Sequence, residues 1–180
     1  MLLDLLVVAL GVALVGALVA WQLTWTATRL DRLHTRVEGA SAALDAALLR
    51  RATASLELAG SGLLDPATSV LLADAAHAAR TAPEQDRESA ESSLTAVLRA
   101  VLSEDAVAEL RIEPGGEEAL SDLADAWQRV GLARRFRNDA VSATAHVRRQ
   151  RLVRWARLAG HAPRPASFEI DDEPPAALAR

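Results

Sequence analysis

The 180-residue chain contains no cysteine, no lysine and no tyrosine, and only 3% of its residues are aromatic. Without cysteine the chain cannot form a disulfide, a thiolate metal site or a cysteine nucleophile. Because lysine is absent, the twenty Lys and Arg residues of the chain are all arginines. This composition, with its abundant alanine, is typical of proteins from GC-rich bacterial genomes.

The longest apolar run extends over Leu2–Leu23 and contains one charge, Asp4, at its N-terminal edge. About twenty apolar residues in an α-helix cross a hydrocarbon core of about 30 Å, and a helix satisfies its own backbone hydrogen bonds there. Trp21 and Trp25 follow at the position of interfacial aromatic residues. We therefore predict a transmembrane anchor over residues 1–25, with the lipid bilayer as its partner.

A cleaved secretory signal is the alternative interpretation of this run. Such a signal has basic residues before a shorter apolar core, whereas residues 1–4 contain no Arg or Lys. Arg29, Arg32 and Arg36 follow the run, and basic residues are retained on the cytoplasmic side. The charges therefore predict an N-terminus outside the cell and residues 26–180 in the cytoplasm.

After the anchor, apolar residues recur at spacings of three and four, which is typical of amphipathic helices. Asp65-Pro66 and Ser103 are expected to begin helices, and Gly60-Ser61-Gly62 is expected to end one. Residues 113–116 form the clearest turn. The predicted helices extend from Leu2 to about Ala59, from Pro66 to about Thr81, from about Ala90 to Val101, from Ser103 to about Ile112, and from about Glu117 to Leu158.

No segment shows the alternation of a β-strand. The predicted fold is therefore all-α, with an N-terminal transmembrane helix that continues into an antiparallel up-and-down bundle of three to four long helices. This bundle domain covers residues 26–160. Residues 161–180 are rich in proline and acid, and are predicted to form a flexible tail that is extended or disordered.

Pro83 leaves two topologies open, because proline either kinks a helix or begins a new one. In the topology that we favour, residues 66–112 form one return limb and the basic end of the last helix lies far from the bilayer. In the other topology Pro83 reverses the chain, and the basic end returns toward the membrane.

Charge is distributed unevenly along the chain, whose net charge is -4. Residues 57–125 contain fifteen acids and four Arg, whereas residues 126–165 contain ten Arg and one acid. Such a basic run suits anionic lipid headgroups, nucleic acid or an acidic protein surface. Nucleic acid is disfavoured because only Phe136 and Trp155 supply aromatic rings between Arg134 and Arg157, where most of these arginines lie. Pairing with the chain's own acidic segment and tail is the interpretation that we favour.

No residue pattern indicates an enzyme. Gly60-Ser61-Gly62 and Gly115-Gly116 lack the Lys and Ser or Thr of a phosphate-binding loop, and the four histidines are scattered. The paired acids Glu117-Glu118 and Asp171-Asp172 are expected to be solvated, and neither is placed as an acid–base dyad. We therefore expect no catalytic residue, no metal and no cofactor.

Three segments carry a family resemblance. Residues 36–59 form an amphipathic segment with the basic pair Arg50-Arg51, and residues 127–141 contain an ARxxYN-like stretch with Arg135 and Asn138 in register. The stretch at 158–169 is similar to a closing GF-x-P-x-x-x-F motif that ends at Phe168. These segments resemble the LemA family of single-span bacterial membrane proteins. Arg137 replaces the family's aromatic residue, so the chain resembles a divergent member.

The resemblance implies a cytoplasmic helical bundle behind an outward N-terminus, and it supplies no reaction. For Asn138 we expect a buried hydrogen bond between helices. The leading hypothesis is a non-enzymatic, membrane-anchored scaffold that binds proteins or self-associates. The alternative is an anchored regulator whose Arg-rich last helix docks a polyanion, namely anionic lipid, nucleic acid or a phosphorylated partner. The candidate interaction or structural residues are Arg50, Arg51, Arg134, Arg135, Asn138, Arg148, Arg149, Arg151, Arg154 and Phe168.

Overall fold

The computed structural model describes residues 1–149 and 166–178 of the chain. Every regular element in these residues is helical, which confirms the predicted all-α class. Residues 166–175 form neither helix nor strand, and a turn follows at 176–178. The predicted end of the last helix at Leu158 lies outside the described residues. The helices are α1 (Leu2–Gly60), α2 (Pro66–Thr81), α3 (Arg87–Val101), α4 (Glu104–Ile112) and α5 (Gly116–Arg148), with a 3-10 turn at Glu84–Asp86.

The chain divides into two compact units. The first unit comprises Met1–Gly39 and Asp139–Ala166, and the second comprises Ala40–Asn138 and Ser167–Arg180. Helices α1 and α5 each contribute residues to both units.

Among the described residues, one helix, α1, is long and apolar enough to cross a membrane, and none of its most apolar window is buried. Trp21 is 71% exposed, and the guanidinium carbon of Arg29 lies 5.7 Å from the centre of the Trp25 ring. An arginine over an indole face is a favourable cation–π contact. Burial in the first unit begins beyond the apolar run, at Thr26 on α1 and at Ala140 on α5.

The helix starts in the second unit follow from local side-chain chemistry. Oδ1 of Asp65 accepts hydrogen bonds from the amides of Ala67 at 3.0 Å and Thr68 at 3.1 Å, and these bonds cap α2. The hydroxyl of Ser103 accepts a hydrogen bond from the Ala106 amide at 3.3 Å and caps α4. Both caps confirm the sequence predictions, because a cap needs only residues within one turn of the helix.

The turn between α4 and α5 depends on two glycines. Gly115 has a φ of +84°, a backbone conformation that side chains other than glycine rarely adopt. A Cβ at Gly116 would overlap the carbonyl oxygen of Leu110. The predicted turn at 113–116 is confirmed, and Gly116 is required there by the close approach of two backbone segments.

Pro83 separates two helices that pack against each other. α2 ends at Thr81, Ala82 is extended with a ψ of 134°, and α3 begins only after the 3-10 turn. α2 and α3 contact each other, so residues 66–112 do not form one limb and the favoured topology is wrong. Proline lacks an amide hydrogen and forces the preceding residue out of the helical conformation, which ends α2 before Pro83. The expectation that the basic end lies far from the bilayer loses its basis.

Two apolar clusters form the core of the second unit. The larger cluster joins residues of all five helices, including Leu58, Leu72 and Leu98, each of which is fully buried. The smaller cluster contains Leu44, Ala47, Leu48 and Val130. Phe168 and Ile170 of the extended C-terminal segment pack against this smaller cluster. The core therefore includes residues that follow the last helix.

Candidate interaction site: a buried ion pair and a docked C-terminal strap

Arg51 is the largest fully buried side chain of the second unit. Its Nη2 donates to Oε2 of Glu91 at 2.7 Å and to the Glu91 carbonyl oxygen at 3.2 Å, and its Nη1 donates to Oγ1 of Thr95 at 3.1 Å. Removing an arginine from water costs several kcal/mol unless an anion and hydrogen-bond acceptors replace the lost solvent. These three contacts replace part of the lost solvent and connect α1 to α3, while Nε of Arg51 is buried without a hydrogen-bond partner.

Burial also affects Glu91, which is 1% exposed. Loss of solvent raises the pKa of the Glu91 carboxyl, and the neighbouring Arg51 opposes that rise. Because both groups are enclosed, a substrate in solvent has no access to them. The pair therefore serves to join helices and does not present a reactive group to a ligand.

Trp127 on α5 completes the surroundings of Arg51. The guanidinium carbon of Arg51 lies 5.1 Å from the centre of the Trp127 ring. The indole nitrogen of Trp127 donates to the carbonyl oxygen of Asp172 at 2.8 Å. One face of this tryptophan therefore contacts the buried cation, while its polar edge holds the segment that follows α5.

We name residues 167–178 the strap. Side chains of α3 and α5 hydrogen-bond to its main chain. Nδ2 of Asn138 donates to the Phe168 carbonyl oxygen at 3.1 Å, and Oδ1 accepts from the Phe168 amide at 2.9 Å. Oγ1 of Thr95 donates to the Asp171 carbonyl oxygen at 2.7 Å, and Oγ of Ser92 accepts from the Asp171 amide at 3.2 Å. The strap is thus held through its backbone as well as its side chains.

Two arginine–aspartate pairs fix the side chains of the strap. Nη1 and Nη2 of Arg99 each lie 2.6 Å from one carboxylate oxygen of Asp171. Arg134 donates from Nε at 2.8 Å and from Nη2 at 2.9 Å to the two oxygens of Asp172. Bidentate pairs of this kind combine charge with defined geometry. Successive side chains of an extended segment point to opposite sides, so one aspartate reaches α3 and the next reaches α5.

The hydrogen bonds from Arg99 hold the pKa of Asp171 below its ordinary value, and Asp171 in turn raises the pKa of Arg99. The Asp171 side chain is 47% exposed and the Asp172 side chain 18% exposed. The sequence-based expectation that Asp171-Asp172 is a solvated pair is therefore wrong for Asp172. Its carboxylate is enclosed because the strap folds back onto α5.

The structure brings together four of the predicted candidate residues. Arg134, Asn138 and Phe168 take part in the contacts between the helices and the strap. Arg51 contacts Trp127, which in turn hydrogen-bonds to the strap. The expected partner of Asn138 was another helix, and that expectation is wrong, since the amide pairs with the backbone of the strap.

The remaining candidates lie elsewhere. Arg50 and Arg135 are exposed in the second unit, and Arg149 is exposed in the first. Arg148 is half-buried in the first unit. Arg151 and Arg154 lie outside the described residues.

Sequence reasoning missed Glu91, Thr95, Arg99, Trp127 and Asp172 as site residues. The sequence does contain a pattern that indicates the buried pair of Arg51 and Glu91. Arg51 occupies the same helical face as Leu44, Leu48 and Leu58, and Glu91 occupies the same face as Leu94 and Leu98. A charge within an apolar face of each of two helices indicates a buried ion pair.

An open cleft of about 730 Å³ adjoins the strap. Its lining combines apolar and polar groups of α5, among them Trp127, Gln128 and Arg135, with Asp172 and Pro174 of the strap. Within residues 1–149 and 166–178, no group of three or more His, Cys, Asp and Glu side chains is placed to hold a metal ion.

No protein-family model, curated protein or solved structure matches this chain. The interpretation of the site therefore depends on its geometry and chemistry.

Proposed function

We propose that this chain is a non-enzymatic, single-pass membrane protein of the bacterial inner membrane, whose helical part acts as a scaffold or protein-interaction module. The observation that carries the proposal is the apolar N-terminal part of α1, whose residues from Leu5 to Leu18 are mostly more than half exposed. Contiguous apolar surface of this extent is unfavourable in water. A bilayer is the environment that matches its length and composition.

The second unit supports an interaction role rather than a catalytic one. Its buried charges, Arg51 and Glu91, are engaged with each other. The charges on its strap, Asp171 and Asp172, are engaged with arginines. A catalytic acid or base must reach a substrate, whereas these groups hold helices and an extended segment together. Positioned polar contacts to a peptide backbone are typical of modules that bind protein segments.

The proposal also includes the arrangement of the helices and the family. We place the second unit in an antiparallel up-and-down bundle, supported by the helix-ending turn at Pro83 and the close turn at Gly115-Gly116. We regard the chain as a divergent LemA-like protein on the resemblance of residues 36–59, 127–141 and 158–169. The N-terminus is proposed to lie outside, because Arg29, Arg32 and Arg36 follow the apolar run.

Docking of a polyanion on the last helix is less well supported. Arg134 pairs with Asp172, and the guanidinium carbon of Arg137 lies 5.6 Å from the centre of the Phe168 ring. Nε of Arg137 also donates to Oγ of Ser41 at 3.2 Å. Both arginines contact the chain's own residues, and the pair of Arg134 with Asp172 is of the kind that the favoured interpretation of the basic run expects.

The absence of cysteine allows a direct test of anchoring and orientation. Single cysteines would replace Ser61, Ser103 and Ser167, all of which are exposed, and intact cells would be treated with a membrane-impermeant maleimide. We expect no labelling until the cells are lysed. A fourth variant, with cysteine at Met1 after an added initiator methionine, is the matched control and should label in intact cells.

Two outcomes would contradict the proposal. Labelling of the three serine positions in intact cells would place the helical part outside. Recovery of the chain in the soluble fraction after alkaline extraction would exclude the anchor. Substituting Leu14→Arg provides a further control, since a charge at the centre of a span costs roughly 2.5–3.5 kcal/mol on insertion scales and should reduce membrane recovery.

A further inference from the structure

The strap occupies a groove between α3 and α5. Seven side chains of these helices hydrogen-bond to the strap, namely Glu88, Ser92, Thr95, Arg99, Trp127, Arg134 and Asn138. Six of the seven contact its main-chain atoms, including Arg99, whose Nε donates to the Glu173 carbonyl oxygen at 2.9 Å, and Glu88, whose Oε1 accepts from the Glu169 amide at 2.9 Å. Such contacts hold an extended backbone whatever its side chains are. The groove therefore has the general features of a site for an extended peptide.

The side-chain contacts add selectivity for a particular pattern. Phe168 and Ile170 pack against the apolar cluster that contains Leu44 and Val130. The next two positions are each matched by a bidentate arginine. The groove is thus complementary to an aromatic residue, any residue, an aliphatic residue and two consecutive aspartates.

We propose that this groove is a recognition site for extended acidic peptides of this pattern, and that the strap of a second copy of the chain enters it in trans. The inference rests on the proposed function, in which the helical part binds protein, and adds the site and the partner. Among the residues that the structure describes, the strap is the segment that makes these groove contacts. Exchange between two copies keeps each hydrogen bond and ion pair, so the exchanged and unexchanged forms differ little in contact energy.

Tethering determines which form is populated. Because a strap and its own groove belong to one chain, the contact between them is intramolecular, and an isolated copy binds its own strap. Two anchored copies share one membrane surface, where their mutual concentration is high. Exchange is therefore expected to depend on the density of the chain in the bilayer.

Complementation between two variants tests the exchange. The strap variant carries Asp171→Asn and Asp172→Asn, and the groove variant carries Arg99→Ala and Arg134→Ala. Neither variant can form the two arginine–aspartate pairs within one copy. The groove variant keeps a wild-type strap and the strap variant keeps a wild-type groove, so both pairs can form between the two variants. Full-length copies with two different affinity tags would be co-expressed, and we expect at least tenfold more co-purification for the mixed pair than for either variant with itself.

A synthetic peptide of residues 166–178 tests the groove separately. A fluorescent peptide should bind the full-length strap variant and should bind wild type at least tenfold more weakly, because the wild-type groove is occupied. A peptide with asparagine at the two aspartate positions should bind the strap variant at least tenfold more weakly than the parent peptide. An Asp125→Asn, Arg129→Ala variant is the matched control, since it removes an exposed pair on α5 whose atoms lie 3.9 Å apart.

The recognition site and the identity of its partner are contradicted by different outcomes. Absence of peptide binding to a strap variant with wild-type helical circular dichroism would overturn the recognition site. Peptide binding without complementation would overturn the second copy as donor. Alkaline extraction of every variant reports membrane anchoring independently, so a failure of this inference is distinguishable from a failure of the proposed function.

Discussion

Arg51 and Trp127 are in face-to-cation contact inside the second unit, with 5.1 Å between the guanidinium carbon and the ring centre. The same guanidinium is bonded to Glu91, and the same indole is bonded to the strap. A single chain of contacts therefore runs from α1 and α3 through α5 to the C-terminal segment. A substitution at one end of this series of contacts is expected to weaken the contacts at the other end.

Replacing Glu91→Ala is expected to destabilise the chain by roughly 3–5 kcal/mol, because it leaves a buried arginine without its anion. The measurement is urea unfolding of the full chain in detergent micelles, followed by circular dichroism. Asp45→Ala is the matched control, since Asp45 pairs with Arg87 at 3.0 Å and is 57% exposed. An exposed pair contributes about 0–1 kcal/mol. Equal losses in the two variants would contradict a special role for the buried pair.

Replacing Asn138→Ala is expected to loosen the strap, because both hydrogen bonds to Phe168 are lost. A net value of about 1–1.5 kcal/mol for such bonds corresponds to an approximately tenfold faster amide exchange at Phe168. Hydrogen exchange measured by mass spectrometry on the C-terminal peptide would check this. Gln128→Ala, at an exposed position of the same helix, should leave exchange of the strap unchanged. Unaltered protection in the Asn138 variant would contradict the assignment.

Strap docking is expected to weaken in acid. The pKa of Asp171 is lowered from 3.8, chiefly by the hydrogen bonds from Arg99, so the docked strap binds protons less readily than a free one. Docking therefore retains this contribution above about pH 4 and loses it as the pH falls through the lowered pKa. The pH dependence that Glu91 contributes to stability has the opposite sign, because burial raises the pKa of its carboxyl. A probe that reports on the strap alone is therefore needed.

A fluorophore on Ser167→Cys supplies that probe, since the chain has no other thiol. Its anisotropy is expected to be constant from neutral pH to about pH 4 and to fall below that, by a modest amount because Asp171 is half exposed. Adding Asp171→Asn should lower the anisotropy at neutral pH and flatten the acid transition. The same transition in both proteins would show that another group is responsible.

Two glycine substitutions are expected to act in opposite directions. Gly116→Ala would place a methyl group on the Leu110 carbonyl, and opening the turn to accommodate it is expected to cost about 1–3 kcal/mol. At Gly131 a methyl group would lie 3.5 Å from Oδ2 of Asp172, which is ordinary contact. Gly131→Ala should therefore stabilise α5 by about 0.5–1 kcal/mol. Thermal unfolding would show both changes, and a shift of the same sign in each would contradict the structure.

Local features of the fold were predictable from the sequence. The caps at Asp65 and Ser103 and the turn before α5 depend on residues within one helical turn, so their side chains determine them. Pro83 was recognised as an interruption, but its outcome depends on how α2 and α3 pack. Packing between helices involves shape and buried area that spacing alone does not specify. The sequence therefore predicted the helices better than their arrangement.

The site was harder to predict because its contacts join distant residues. The pair Arg99 and Asp171 is separated by 72 positions, and no periodicity indicates which acid meets which arginine. Arg50 and Arg51 illustrate the same difficulty. They are adjacent and chemically identical, yet one is exposed and the other is buried, because consecutive residues lie about 100° apart around the axis of α1. Arg51 is a charge on the apolar face of α1, and this position distinguishes it as the buried member of the two arginines.

The alternation of Asp171 and Asp172 between α3 and α5 makes the strap sensitive to the spacing of its residues. Deleting or inserting one residue between Phe168 and Asp171 would turn each carboxylate toward the opposite helix, because a shift of one position exchanges the two sides of an extended chain. Substitution of exposed Glu169 preserves the spacing. Natural variation in this segment is therefore expected to take the form of replacements, with changes of length confined to positions outside it.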